Sequence, residues 1–205
     1  MEERIMSMSV VVDKDALDFL KAMCVGAYDD PYEAASNRAY RDLNRTIRYQ
    51  TMSSDVRETL RKKTTELLRR EITWMMSNVT TQDAFDSWHF NVCTQIRSCF
   101  REAGIEFYYG QAQKWLNMTI KYLYVIGDKQ FDGAFPYLHI PIDNYVFDAA
   151  QKAFGVSKPM VAWSRWDDYH NQYMMYQEAL RSHITDMDPL RWEFRYWIQE
   201  AKSKR

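Results

Sequence analysis

The sequence predicts an all-α domain of about eight helices, and three observations carry that expectation. Apolar residues recur at three- and four-residue spacing through almost every window, the period of one helix face. Between those windows stand residues that start helices (Asp, Ser, Thr, or Pro in a first turn) and glycines that stop them. Only six Gly and five Pro occur in 205 residues, too few to punctuate a fold built from β-turns.

Residues 1–12 read as a loose or extended lead-in. Asp13 or Asp15 caps a first helix, on which Ala16, Leu17, Leu20, Met23 and Cys24 share a face before Gly26 ends it. Pro31 suits a first-turn position and opens a second helix that runs through Tyr49. Ser53 or Ser54 starts a long third helix to Asn78, with Leu60, Leu67, Leu68, Ile72 and Met75 on its apolar side. The run Thr80-Thr81-Gln82-Asp83 starts a fourth, and Phe85, Trp88, Val92, Ile96 and Phe100 give it a core stripe that ends before Gly104.

A fifth helix follows Gly110, and a polar loop from Gly127 to Gly133 separates it from a Pro141-initiated sixth. Ser164 caps a seventh helix to Ile184, with Trp166, Tyr173, Tyr176 and Leu180 on one side. Pro189 opens the last, with Leu190, Phe194, Trp197 and Ile198 inward and a basic tail that frays. The absence of repeats, low-complexity tracts and long linkers makes 1–205 a single all-helical domain, with room for two sub-lobes.

Composition narrows the function classes. A formal net charge of −1 exerts no global pull toward nucleic acid, so any such binding needs a local patch. Three cysteines, Cys24, Cys93 and Cys99, have no metal-ligand spacing and suit a reducing compartment, hence a cytoplasmic protein without a metal or other cofactor. The most apolar window, around Trp115 to Ile126, is short and carries Lys121, so no membrane span is expected. Arg38, Arg41, Arg45 and Arg48 are spaced to share one helix face, which makes them candidates for phosphate contact or for an ordinary solvated face.

The segment 105–155 organises the chain. Lys114 follows the Gly110 turn by four residues, and Asp143 stands in His-Ile-Pro-Ile-Asp at the next helix start. This pattern resembles the helix–hairpin–helix DNA glycosylase superfamily, in particular its oxoguanine-glycosylase-like branch. The resemblance implies a lysine nucleophile at Lys114, assisted by an aspartate at Asp143. It further implies phosphate contact through the turn at Gly110, Gln111 and Gln113 and through His139. The turn carries one glycine where the family has two, and the lysine and aspartate lie 29 residues apart, so 128–138 reads as an insertion. Three cysteines are too few for the four-cysteine iron–sulfur cluster some members hold.

The expected function is excision of a damaged or modified purine from DNA through a lysine Schiff base, with or without strand cleavage. Two alternatives stand beside it: a non-catalytic nucleic-acid or nucleotide-binding module of the same fold, and a helical protein-interaction protein of a phage or bacterial defence locus, with a protein partner.

Overall fold

The computed structural model describes residues 13–129 and 131–203. The expected lead-in at residues 1–12 and the last two residues of the basic tail lie outside them. Among the described residues there is no strand, and eight α-helices alternate with short 3₁₀ and π turns. The α-helices are α1 Lys14–Val25, α2 Pro31–Leu43, α3 Ser54–Asn78, α4 Gln82–Glu102, α5 Tyr109–Val125, α6 Asn144–Phe154, α7 Met175–His183 and α8 Pro189–Ser203.

Local chemistry sets most of the boundaries. Asp13, Asp30, Ser53, Thr81 and Asp143 each accept a backbone N–H of their own first turn, which satisfies a donor the helix leaves unpaired. Gly155 closes α6 at φ +71°, a left-handed position that costs a side-chain-bearing residue strain.

Three boundaries depart from the sequence expectation. The second helix stops at Leu43 and tightens into a 3₁₀ turn over Asn44–Thr46. There the Thr46 hydroxyl donates to the Leu43 carbonyl, and the Gln111 amide donates to the Thr46 carbonyl, so tertiary contact outbids helix propensity. The sixth helix starts at Asn144, with Asp143 rather than Pro141 at its cap. Ser164 caps nothing; Trp163–Arg165 is a 3₁₀ turn, and Asp168 caps a π turn over Tyr169–Met174 that feeds α7.

Helix α5 is the axis. Fourteen of its 17 residues are buried, including Trp115, Leu116 and Leu123 at 0% exposure. Helix α2 lies along one side of it and α4 along another, while α3 packs on both α2 and α4. The α2 face is small (Ala35, Ser36 and Ala39, all fully buried), which lets α5 approach closely enough for the Trp115 indole N–H to donate to Ser36 Oγ at 3.0 Å. Helices α6 and α8 pair on the remaining side, and the Trp163–Arg165 turn closes against α5.

Two expected core stripes come out differently. The α1 side chains Leu17, Leu20 and Met23 are exposed, and only Val25 of that helix is buried. On α8, Leu190 is inside, but Phe194 and Trp197 are half-buried and Ile198 exposed, because that face borders a cavity.

Candidate functional site

Four α5 residues, Lys114, Met118, Lys121 and Tyr122, repeat at helical spacing and form the floor of a cavity of about 480 Å³. That volume is in the range of small-molecule sites. The α2 wall is charged, with Arg38, Arg41 and Asp42, and Arg45 follows in the 3₁₀ turn. The opposite wall comes from α8 through Glu193, Phe194, Trp197 and Ile198. Asp143, Asn144 and Tyr145 at the start of α6, with Trp163, complete the lining.

Lys114 is only 3% exposed, and its Nζ lies 2.8 Å from Asp143 Oδ2. The other carboxylate oxygen of Asp143 accepts the Val146 N–H at 3.0 Å, so the helix cap aims the carboxylate at the lysine. Burial pushes the Asp143 carboxyl up, but Lys114, the Val146 N–H and the more distant Lys121 outweigh it and hold the group below the usual carboxylate range. Asp143 therefore stands ionised at neutral pH. Trp163 lies beside it, its ring centre 5.9 Å from the lysine Nζ.

A second pair shares the cavity. Lys121 donates to both oxygens of Glu193 at 2.7 Å, and Glu193 is 1% exposed. Burial outweighs the lysine here and raises the Glu193 carboxyl. The Lys121 ammonium also lies 5.0 Å from the Phe194 ring centre and 5.6 Å from that of Trp197. Lys121 is a cavity residue that the sequence reading treats only as an interruption of an apolar window. The signal was present, since seven residues after Lys114 is two turns along the same face. Glu193 had no such signal, because its partner is 72 residues away.

The arginine stripe divides. Arg38, Arg41 and Arg45 line the cavity with Lys114 and Asp143, which sequence distance alone does not reveal. Arg38 is paired with Asp42 and donates to the Cys24 carbonyl. Arg48 is a correction: α2 ends before it, Ile47 turns into the core, and Arg48 is exposed and not part of the cavity lining.

The residues expected to grip phosphate through the hairpin are also corrected, because their polar groups are spent inside the protein. The Gly110 N–H donates to the Trp166 carbonyl at 2.9 Å, the Tyr109 N–H to Asp167 Oδ1 at 3.3 Å, and the Gln111 N–H to the Tyr108 carbonyl at 3.1 Å. Gly110 is in the first turn of α5 and serves close packing. A Cβ there would stand 1.7 Å from the Trp163 carbonyl oxygen. Gln111 accepts the Tyr108 N–H and donates to Thr46, and Gln113 bonds both backbone groups of Ile142.

His139 is fully inside, with Nε2 2.6 Å from Asp86 Oδ1 and Nδ1 2.8 Å from the Tyr173 hydroxyl. His89 stacks on Tyr173 in the same network, 2.9 Å from Asn117 Oδ1. The Asp167 carboxylate pairs with Arg97 and Arg101. No group of three or more His, Cys, Asp or Glu side chains is placed to hold a metal among the described residues, and no helix there is long and apolar enough to cross a membrane.

Comparison of the chain with protein-family models, with curated proteins and with solved structures gives no match, so any function has to be argued from this cavity.

Proposed function

We propose that this chain is a DNA glycosylase-like protein that excises a damaged or modified purine through a Schiff base on Lys114, with Asp143 as its electrostatic partner. The observation that supports it best is the buried Lys114–Asp143 pair at 2.8 Å, set in a cavity with a cationic wall and an aromatic wall. A nucleotide extruded from a duplex offers those two walls a phosphate and a planar ring.

The ammonium proton leaves before attack, and Asp143 Oδ2 is the acceptor within hydrogen-bond reach. The free amine then adds to C1′ of the sugar as the C1′–N bond to the base breaks. The base departs with that electron pair and takes up a proton. The nitrogen now bonded to C1′ sheds one proton, and as the C1′–O4′ bond opens its second proton passes to O4′, giving the imine and a sugar hydroxyl. Asp143 hands the ammonium proton on to the departing base and, anionic again, offsets positive charge on the sugar.

A second reading is favoured by one observation: the first-turn N–H groups of α5 are already bonded, so the hairpin has none to offer a phosphate. On that reading the cavity binds a nucleotide or nucleic acid without cleaving it.

Borohydride trapping separates them. Duplexes carrying a panel of oxidised, alkylated and deaminated purines are incubated with the protein and sodium borohydride. A covalent adduct, absent in Lys114→Ala and Lys114→Gln, is the expected outcome. DNA binding without an adduct on any lesion would overturn the catalytic reading in favour of the second.

A further inference from the structure

Five cationic side chains line the cavity against three carboxylates, and they are not equivalent. Arg38 is neutralised by Asp42, Lys114 by Asp143 and Lys121 by Glu193. Arg41 and Arg45 have no acidic partner among the described residues. Arg41, in the last turn of α2, and Arg45, in the 3₁₀ turn that follows it, both line the cavity and are exposed, whereas Lys114, Glu193 and Trp163 are buried. The spare positive charge therefore sits at the mouth, and the paired charges and the Trp163 ring lie deeper.

We infer that Arg41 and Arg45 form a phosphate clamp, and that the cavity takes a nucleotide with its ring inward and a single phosphate at the rim. A guanidinium fork binds a phosphate bidentately and remains charged at any working pH. Two spare charges match one phosphomonoester or the two diesters that flank an extruded nucleotide. A triphosphate carries more charge than the rim offsets, and no carboxylate cluster among the described residues is placed to recruit a divalent cation for it. Inward, Trp163 and Trp197 provide ring faces for stacking. The inference rests on the nucleotide-binding part of the proposed function and not on the lysine chemistry.

The test is equilibrium binding of deoxyguanosine, its 5′-monophosphate, its 5′-triphosphate and a short single-stranded oligodeoxynucleotide. The proteins are the wild type, Arg41→Ala, Arg45→Ala, the double variant and Arg48→Ala. Arg48 removes the same charge outside the cavity and is the control for general electrostatics. Arg41 and Arg45 are exposed and unpaired, so their variants fold, as far-ultraviolet circular dichroism checks.

The clamp predicts a loss of about tenfold or more for each of Arg41→Ala and Arg45→Ala with a phosphate-bearing probe, and little change for Arg48→Ala. For the oligonucleotide, the slope of log affinity against log salt falls in the double variant by about 1.4, since each single-strand phosphate contributes about 0.7. The triphosphate binds no tighter than the monophosphate, and the nucleoside more weakly than either phosphate-bearing probe. Binding of the monophosphate identifies a free nucleotide as a sufficient ligand; binding of the oligonucleotide alone identifies a strand. Equal losses in Arg48→Ala, unchanged affinity in the double variant, or no binding by any probe overturns the clamp. A clamp that passes while no lysine adduct forms leaves this inference standing and removes only the chemistry.

Discussion

Helix α5 presents polar side chains to two buried regions, and the two are built differently. Toward α4 and α7, Gln113 and Asn117 join His89, His139, Tyr173 and Asp86 in a network that closes on itself. Arg181 completes it with a two-pronged bond to Asp86 at 2.9 and 2.8 Å. Toward α2 and α8, Lys114 and Lys121 contact carboxylates at 2.8 and 2.7 Å beside an open volume, where Arg41 and Arg45 have no acidic partner among the described residues. One helix thus carries a polar structural element and a candidate site about 100° apart, the rotation between successive residues such as Gln113 and Lys114. Polarity inside a protein does not by itself mark function; unspent hydrogen-bonding and charge capacity facing a cavity is the better guide.

The largest effect that tests this contrast is on stability. Asp86→Ala strands the Arg181 guanidinium and leaves the His139 ring without its carboxylate, at a cost of about 4 kcal/mol. Urea denaturation would show a lowered midpoint with an unchanged slope. A loss under 1 kcal/mol would mean that the network is not the structural element described.

Acid should act on the same region. Burial pushes the His139 pKa down to about 4, so the folded protein refuses a proton that the unfolded chain accepts below its ordinary value of 6.5. His89 is shifted in the same direction by its own burial. Stability is therefore complete above pH 6.5 and falls as the pH drops toward 4, by about 3 kcal/mol for His139 alone. His139→Gln should flatten that fall across pH 6.5 to 4, and an unchanged slope would show that His139 is not buried neutral. Asp86, held far below the usual carboxylate range by His139 and Arg181 against its own burial, adds a further loss only at lower pH.

The smallest of these effects joins the two regions. Gln113 belongs to the closed network yet bonds the backbone N–H and carbonyl of Ile142, the residue before Asp143. Gln113→Leu should cost about 2 kcal/mol through unpaired backbone groups. It should also lower the rate of adduct formation by more than substrate affinity, because it loosens the carboxylate opposite Lys114 and leaves the Arg41–Arg45 rim intact. Parallel losses in rate and affinity would place Gln113 in the general packing only.

Much of this was legible before any coordinates. The α4 stripe of Phe85, Trp88, Val92, Ile96 and Phe100 is buried as its period requires, and Lys114 and Asp143 were singled out from their local context. What misled was context that comes from elsewhere in the chain. Gly110 looked like a hairpin turn and instead admits the Trp163 backbone. His139 looked available for phosphate, but Asp86, 53 residues earlier, had already taken it. The exposed apolar residues of α1 carry a sound helical period, which says nothing about whether another element covers them.

The sequence by itself determined the helical class, most caps and most core faces, because these depend on contacts within a turn or two of chain. Tertiary structure alone decided which polar residues were spent and which were free. That the 29 residues between Lys114 and Asp143 close to a 2.8 Å contact follows from the packing of α5 against the α6 cap. Arg38 pairs with Asp42 four residues on in the same helix, a local contact, whereas Arg41 and Arg45 have no acidic partner among the described residues because Glu193 and Asp143 come to rest against Lys121 and Lys114. Helix propensity acts over neighbouring residues. Charge pairing and burial act through space, between groups the chain brings together only when it folds.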